Sequence, residues 1–190
     1  MTAPQPFQTA RLFIRPFTDA DAPALVPLAG AFEVHDMTLR IPHPYALSDA
    51  ESWLARLRET YVAGTDFPLA VTLLSTQELV GAIGLEVNKD QGRAELGYWI
   101  GVPHWGKGYA TEAGRAMLAF GFETLKLHRI TAHHFARNPA SGRVLAKIGM
   151  QREGLLRQHV RKHGGFEDCV MYGILRADVD HAGIRRSERI

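Results

Sequence analysis

One stretch near the middle of the chain runs from a strand pattern through a glycine-bearing turn into a helix pattern. It reads Gly97-Tyr-Trp-Ile-Gly-Val-Pro-His-Trp-Gly-Lys-Gly-Tyr-Ala-Thr-Glu-Ala113. The first turn of a helix leaves backbone N–H groups without intrahelical acceptors, and the helix dipole adds about half a positive charge there. Gly106 and Gly108 let the backbone approach a ligand without Cβ clashes. The stretch therefore predicts an anion site suited to a phosphate or a pyrophosphate.

The same stretch has a second phosphate-binding interpretation. Gly101, Gly106 and Lys107 fall at the spacing of the P-loop, GxxxxGK[ST], but the last position is Gly108, which has no hydroxyl to hold Mg²⁺. Pro103 also removes one N–H group that would line such a loop. The GxGxxG pattern of dinucleotide-binding domains is absent from the stretch. A nucleotide-dependent phosphotransferase is therefore disfavoured, and a tight turn without any ligand remains the alternative.

Hydrophobic periodicity and turn signals predict the secondary structure of the chain. The predicted strands are Arg11–Phe17, Phe67–Leu74, Leu79–Val87, Ala94–Val102, His128–Ala136, about Gln151–Arg161 and Glu167–Leu175. Predicted helices begin at the capping boxes Thr18–Asp21 and Ser48–Glu51, cover Lys107–Thr124, and run from the N-cap Asn138 to Gly149. The stretch Glu33–Leu47, with two prolines, is expected to be irregular. The fold class is α+β, a mixed and mostly antiparallel sheet of about seven strands flanked by about four helices.

Size and charge limit the possibilities further. A length of 190 residues with 46% hydrophobic content fits one domain with one sizeable core. We predict that residues 1–180 form this domain and that residues 181–190, which hold the cluster Arg185-Arg186-Ser187-Glu188-Arg189, form a basic, solvated tail. The net charge of +2 is too small to indicate a nucleic-acid partner.

Cysteine and histidine usage argues against disulfides and metals. Cys169 is the only cysteine, so an intrachain disulfide is impossible and a cysteine metal site is not expected. His133 and His134 share a predicted strand, and their side chains should point to opposite faces. No signal peptide is expected in Met1–Gln8, and the longest apolar stretch, in Phe67–Leu74, is far below the ~18 residues that span a bilayer. The expectation is a protein of the reducing cytoplasm with no metal, membrane or nucleic-acid partner.

A family resemblance adds to this reading. Trp105-Gly-Lys-Gly-Tyr-Ala110 resembles the Q/R-x-x-G-x-G/A acetyl-CoA motif of the GNAT acetyltransferase superfamily, and looks most similar to its RimJ/RimL-type branch. Asn138–Met150 resembles the family segment N-x-x-S-x-x-x-x-x-K-x-G-F, with Met150 in place of Phe. Further matches in the family order are Thr9–Phe17, Glu95–Ile100, Arg152–Arg157 and Asp168–Tyr172.

The resemblance implies a GNAT fold and an N-acetyltransferase that uses acetyl-CoA. By the same resemblance, a primary amine attacks the thioester directly in a ternary complex, and the acceptor is a protein N-terminus or a small amine. The region Phe32–Tyr45 would border the acceptor groove. A homodimer is possible by family. An acyl-CoA-binding sensor without catalytic activity is the alternative, and substitution of Ser141 and Glu95 discriminates the two.

The resemblance also implies roles for individual residues. The predicted cofactor-binding residues are Ile100, Gly101, Val102, Trp105, Gly106, Lys107, Gly108, Tyr109, Ala110, Thr111, Asn138 and Ser141. A backbone N–H near Ile100–Val102 would donate to the thioester carbonyl oxygen. Many members protonate the departing thiolate with a tyrosine, whose position here is Leu145, so Ser141 is the better candidate for that task. Glu95 is the predicted general base.

Each of these roles has a structural alternative. Asn138 is also a good N-cap before Pro139. Glu95 could instead be a strand-end carboxylate that lies in solvent or pairs with Arg93. Glu86 and Asp36 are weaker candidates for the base. No dedicated base is required if the acceptor is an α-amino group, because its pKa near 8 leaves a fair fraction neutral.

Overall fold

The computed structural model describes residues 3–182, which form eight β-strands and six α-helices. The strands are β1 (Phe7–Gln8), β2 (Leu12–Pro16), β3 (Leu69–Leu73), β4 (Leu79–Asn88), β5 (Arg93–Ile100), β6 (Arg129–Phe135), β7 (Gln151–Lys162) and β8 (Gly165–Leu175). The helices are α1 (Ala22–Ala29), α2 (Phe32–Met37), α3 (Leu47–Ala63), α4 (Tyr109–Ala119), α5 (Pro139–Lys147) and α6 (Arg176–Ala182). Short helical turns lie at Asp19–Asp21, Val102–His104 and Phe120–Thr124.

The strands form one sheet in the order β1-β2-β3-β4-β5-β6-β8-β7. Strands β2 to β5 are an antiparallel meander, and β6, β8 and β7 continue antiparallel. Among the described residues, β5 and β6 are the only parallel neighbours. The predicted α+β class and mostly antiparallel sheet are confirmed. The extra strand is the two-residue β1, which is too short to leave a periodic signal in the sequence.

Two helices differ from the sequence prediction by their presence, and a third differs by its start. The six-residue α2 lies almost entirely within the stretch expected to be irregular, and α6 follows β8 directly. Helix α3 begins at Leu47, so Ser48 is not its N-cap. The carboxylate of Asp49 accepts the backbone N–H of Ala46 at 2.8 Å, which performs half of a capping box from inside the first turn.

The predicted tail begins inside α6. That helix ends at Ala182, two residues past the predicted boundary at 180. The remainder of the predicted basic tail, 183–190, including its arginine cluster, lies outside the described residues. The division into a domain of residues 1–180 and a tail therefore stays a prediction.

Buried side chains from the sheet and the helices form one hydrophobic cluster. On α3, Leu54, Leu57 and Tyr61 are buried at the helical spacing seen in the sequence. On α4, Ala113 and Met117 are almost fully buried. Burial of a leucine such as Leu54 or Leu57 contributes about 2 kcal/mol to the free energy of unfolding, because its apolar surface is removed from water. These contacts fix α4, and with it the glycine turn, against the sheet.

Strands β5 and β6 part soon after they meet. Their ladder joins Arg93–Glu95 to Arg129–Thr131 and goes no further. Strand β6 stays paired with β8 along its whole length, from Arg129 to Phe135. Because β6 is held on its other side, the edge of β5 beyond Glu95 faces a gap in the middle of the sheet.

A buried ion pair fixes the chain between β2 and α1. The Arg15 guanidinium donates to both carboxylate oxygens of Asp21, at 2.7 and 2.8 Å. The same carboxylate accepts the backbone N–H of Thr18 at 2.8 Å, which confirms the first predicted capping box. Burial alone would raise the pKa of Asp21, but the hydrogen bonds from Arg15 and Thr18 outweigh it and lower the pKa.

We expect Asp21→Asn to lower the free energy of unfolding at pH 7 by about 3 kcal/mol, because it removes one partner of a buried ion pair. The folded protein depresses the pKa of Asp21, so the ionic contribution is present above the unfolded-state value of about 4 and is lost as the pH falls through the folded-state pKa. Urea unfolding should therefore show a smaller difference from the natural protein at about pH 3 than at pH 7.

Asp19→Asn is the matched control for this prediction. Asp19 forms an ion pair with Arg58 at 2.6 Å, but both side chains are more than 70% exposed. Its loss should cost no more than about 1 kcal/mol. Equal costs for Asp19→Asn and Asp21→Asn would contradict the role assigned to the buried pair.

Candidate active site

The glycine turn opens helix α4 as the sequence predicted. Gly108 is the N-cap, and both Gly106 (φ +75°) and Gly108 (φ +82°) occupy the left-handed region that glycine enters without strain. The N–H of Glu112 bonds to the carbonyl of Gly108 and closes the first helical turn. The N–H groups of the preceding residues, 109–111, therefore have no intrahelical acceptor and form the positive end of the helix.

Residues near the start of the chain anchor this turn. Arg11 Nη1 donates to the carbonyl of Lys107 at 2.9 Å, and Arg11 Nε donates to the Glu112 carboxylate at 2.7 Å. Thr9 Oγ1 donates to the same carboxylate at 2.6 Å. Burial alone would raise the pKa of Glu112, but the hydrogen bonds from Thr9 and Arg11 lower it. The turn is thus held in place by Thr9 and Arg11, which immediately precede β2. This anchoring role was not predicted from the sequence.

The gap between β5 and β6 opens into a cavity of about 900 Å³. Ladder hydrogen bonds on a strand alternate between its two sides. The N–H of Gly101 donates to the carbonyl of Val80 at 2.9 Å, so this N–H faces β4 and is already used. The N–H of Ile100 must then face the gap. Of the N–H groups near Ile100–Val102 that were predicted to donate to the thioester carbonyl oxygen, that of Gly101 is therefore excluded. The N–H of Ile100 faces the gap.

Most of the predicted binding residues line this cavity. They are Ile100, Trp105, Gly106, Gly108, Tyr109, Ala110, Thr111, Asn138 and Ser141, and the predicted base Glu95 lines it too. Gly101, Val102 and Lys107 do not line it. The indole Nε1 of Trp105 donates to the carbonyl of Ile100 at 2.5 Å, which ties the turn to the end of β5.

A tyrosine that the sequence analysis missed contacts Ser141. Asn138 Oδ1 accepts the N–H of Ser141 at 3.2 Å, which confirms Asn138 as the N-cap of α5. Tyr98 on β5 lies with its hydroxyl 2.7 Å from Ser141 Oγ. Burial raises the pKa of Tyr98 to about 12, so this hydroxyl keeps its proton at neutral pH. Leu145 is fully buried, and Tyr98 places a phenol beside Ser141 from the sheet.

Three carboxylates form a row on the face of the sheet opposite Tyr98. Asp66, which precedes β3, is bridged to Glu86 on β4, and Glu86 is paired in register with Glu95 on β5. Arg40 contacts Glu86 at 2.7 Å. Burial, followed by the charge of Glu86, raises the pKa of Asp66 to about 6. The row brings together carboxylates that are far apart in sequence, and all of these residues line the cavity.

Glu95 does not pair with Arg93. Its carboxylate lies 2.7 Å from Nδ1 of His133, so the structural alternative of a pair with Arg93 is wrong. The hydrogen bond from His133 outweighs burial and lowers the pKa of Glu95. Asp36, a weaker candidate for the base, is held by Arg137 at 2.7 Å and His163 at 3.1 Å.

The cavity connects the two faces of the sheet. Side chains alternate along a strand, so Glu95 and Tyr98 point to opposite faces of β5. The Tyr98 face carries Ser141 and the start of α4, whereas the Glu95 face carries His133 and the carboxylate row. A molecule bound on one face can therefore meet a second molecule from the other face in the gap.

The described residues, 3–182, contain no group of three or more His, Cys, Asp or Glu side chains placed to hold a metal ion. In the same part of the chain, no helix has the length and apolar character needed to cross a membrane.

Comparison with known proteins identifies the family. The model of the acetyltransferase (GNAT) domain matches residues 11–151. The uncharacterized N-acetyltransferase YoaA of Bacillus subtilis (strain 168) is 33% identical over 170 residues, or 89% of this chain and 96% of that protein. The ribosomal protein uS5-alanine N-acetyltransferase of Escherichia coli (strain K12) is 29% identical over 131 residues, or 66% of this chain and 68% of that protein.

Solved structures agree with the sequence relatives. Mycobacterium smegmatis RimJ, in complex with CoA-disulfide, superposes with a TM-score of 0.79 at 25% identity and covers 94% of this chain and 93% of its own. The fold, the cavity and these relatives define an acyltransferase that uses acetyl-CoA. The chain belongs to the GNAT acetyltransferase family, and the predicted resemblance to its RimJ/RimL-type branch is confirmed.

We expect Gly108→Val to weaken acetyl-CoA binding by about tenfold or more. Left-handed backbone costs a residue other than glycine about 1–2 kcal/mol, so the free turn relaxes and must recover this geometry to bind, and 1.4 kcal/mol is tenfold in affinity. A Cβ at Gly108 would also lie 3.4 Å from the Arg11 guanidinium that anchors the turn. Titration calorimetry with acetyl-CoA measures the change.

Gly164→Val is the matched control. Gly164 lies in the β7–β8 turn at φ +80°, with no atom within 4 Å of a Cβ built there. It should show similar backbone strain and unchanged acetyl-CoA affinity. Unchanged affinity in Gly108→Val would count against the turn as the cofactor site.

We expect Asp66→Asn to raise the free energy of unfolding by about 1 kcal/mol at pH 8 and to change it little at pH 4. Because the pKa of Asp66 is raised to about 6, above its unfolded-state value, the folded protein holds this proton more tightly. Stability is therefore lost as the pH rises from about 4 to about 6, and the loss persists above that range. Partial solvent exposure reduces the size of the effect.

Urea unfolding at both pH values tests the Asp66 prediction. Asp90→Asn, in the exposed β4–β5 turn, is the control and should be nearly neutral at each pH. A stabilisation by Asp66→Asn at pH 4 that is as large as that at pH 8 would show that charge is not the cause.

Proposed function

We propose that this chain transfers the acetyl group of acetyl-CoA to a primary amine by direct attack in a ternary complex. The observation that carries the proposal is the gap between β5 and β6, which joins a face with a cofactor-type anion site to a face lined by Glu95 and His133. Acetyl-CoA would approach from the Tyr98 face and the amine from the Glu95 face. Orientation of the two reactants in such a gap supplies a large part of the acceleration.

The residues of the turn fit the diphosphate of CoA. Three N–H groups at the start of α4 have no intrahelical acceptor, and Gly106 has no atom within 4 Å of a Cβ position, so a ligand can approach its backbone closely. Acetyl-CoA brings a thioester whose carbonyl carbon accepts the amine. The N–H of Ile100, which faces the gap, can donate to the carbonyl oxygen of that thioester.

Proton transfers divide between the two faces. Ser141 Oγ and the Tyr98 hydroxyl form a hydrogen-bonded pair that can supply a proton to the departing thiolate. On the other face, the Glu95–His133 pair can remove a proton from the amine. The separation keeps the acid and the base from neutralising each other.

The acceptor is best described as a cationic amine. Asp66, Glu86 and Glu95 place three carboxylates on the acceptor face, with Arg40 paired to one of them, and such a row attracts positive charge. A relative is named for the alanine of ribosomal protein uS5, which makes a protein N-terminus the first acceptor to test. Small amines are the second. A homodimer and a cytoplasmic location stay predictions.

A panel of acceptors scored for CoA release tests the function. It contains N-terminal peptides of ribosomal proteins, polyamines, amino acids and amine antibiotics. We expect release that depends on an acceptor and a mass increase of one acetyl group on that acceptor. Tight binding of acetyl-CoA without release for any amine would instead support the acyl-CoA sensor.

We expect Ser141→Ala and Tyr98→Phe each to lower kcat by about tenfold to a hundredfold, with acetyl-CoA affinity within about threefold of the natural protein. The double variant should be little worse than the poorer single variant, because the two hydroxyls act as one unit. Steady-state kinetics with the best acceptor measures the losses.

Tyr172→Phe is the control for these two variants. This tyrosine also lies beside α5, where its hydroxyl would be 3.3 Å from a Cβ at Gly142, but it does not line the large cavity. Its kcat should stay within about twofold. Full activity in both Ser141→Ala and Tyr98→Phe would remove the pair from the mechanism.

A further inference from the structure

The contact between Glu95 and His133 changes the expected roles of both residues. Glu95 Oε1 lies 2.7 Å from Nδ1 of His133, and both side chains line the cavity. Glu95 comes from β5 and His133 from β6, at the point where the two strands part. The pair therefore lies at the edge of the gap, on the face that the amine would approach.

Glu95 is poorly suited to take a proton in this arrangement. The hydrogen bond from His133 lowers the pKa of its carboxyl group, and the charges of Arg40 and His159 act in the same direction. A base with a depressed pKa has little driving force to remove a proton from an ammonium group. The carboxylate is instead suited to hold an imidazole in one orientation.

The short contact between Nδ1 of His133 and Glu95 Oε1 favours the tautomer that carries its proton on Nδ1. An Nδ1–H that donates to the Glu95 carboxylate leaves the lone pair of Nε2 free to accept a proton. The His133 side chain is 24% exposed, so it is neither sealed in the core nor freely rotating in solvent.

We propose that His133 Nε2 removes the proton from the acceptor amine and that Glu95 is its positioning residue. This refines the proposed acetyltransferase function and rests on it. As the amine attacks, its N–H bond breaks and the proton passes to Nε2. The new C–N bond forms, the C–S bond breaks, and the sulfur takes a proton from the Tyr98–Ser141 side. Solvent then removes the proton from the imidazolium and returns one proton to the Tyr98–Ser141 pair.

His159 offers an internal control. Its ring lies on β7, 6.5 Å from the His133 ring, and its side chain is exposed. It faces the same pair but makes no contact with Glu95 of the kind that fixes a tautomer. Arg40 and His159 are the charged groups besides His133 that act on the Glu95 carboxylate.

The test compares His133→Ala, Glu95→Gln and His159→Ala in the full-length protein, with the best amine from the acceptor panel. We expect His133→Ala to lower kcat by about a hundredfold or more, with acetyl-CoA affinity unchanged within about twofold. Added imidazole should restore at least part of that kcat, since it can supply the missing base. Glu95→Gln should lose less, and adding it to His133→Ala should cause no further loss.

The control variant His159→Ala should keep kcat within about threefold and should not respond to imidazole. If His133→Ala is poorly folded by thermal melting, His133→Gln keeps a side chain that can donate to Glu95, and the same loss of kcat is expected. Rescue by imidazole separates a proton-transfer role from a structural one.

Two results would overturn the proposal. One is an active natural protein whose His133→Ala variant keeps kcat within about threefold. The other is a deep loss in Glu95→Gln while His133→Ala remains active, which would return the base to Glu95. Absence of acceptor-dependent CoA release in the natural protein is a different result, since it rejects the acetyltransferase function itself.

Discussion

The parting of β5 from β6 is the feature on which the rest of the site depends. The parallel ladder between them stops at Glu95 and Thr131, while β6 remains paired with β8 to Phe135. Strand edges with free N–H and C=O groups are usually covered in folded proteins. Here the edge of β5 is left open to a cavity of about 900 Å³, and the N–H of Ile100 points into it.

The same gap separates the two kinds of chemistry that acetyl transfer needs. Glu95 and Tyr98 are three residues apart on β5, so alternation along the strand places their side chains on opposite faces of the sheet. Tyr98 forms a hydroxyl pair with Ser141 on one face, and Glu95 forms a carboxylate–imidazole pair with His133 on the other. The positive end of α4 lies on the hydroxyl side, and the row of Asp66 and Glu86 lies on the other. Under the proposed function, the anionic cofactor and the cationic amine would each meet a face of opposite charge.

The sequence predicted the sheet strands and the main helices because these elements have regular hydrophobic periods and clear caps. The first capping box, at Thr18, and the N-cap of α5, at Asn138, both form as predicted. The predicted start of α3 was wrong because several neighbouring polar residues can cap a helix. The helix begins at Leu47, and the Asp49 carboxylate, rather than the Ser48 hydroxyl, makes the capping contact, with the N–H of Ala46. Helix α2 was missed because six residues carry less than two turns of periodicity.

Local sequence determined the glycine turn, since the left-handed backbone at Gly106 and Gly108 and the unpaired N–H groups of a new helix are properties of adjacent residues. Only the tertiary structure decided which distant side chains meet. The partner of Glu95 is His133 on another strand rather than Arg93 on the same strand, and the hydroxyl of Tyr98 on β5 meets Ser141 on α5. The register of each strand, and the face on which each side chain lies, are set by packing of the whole sheet. Sequence spacing alone does not specify which strand becomes the neighbour.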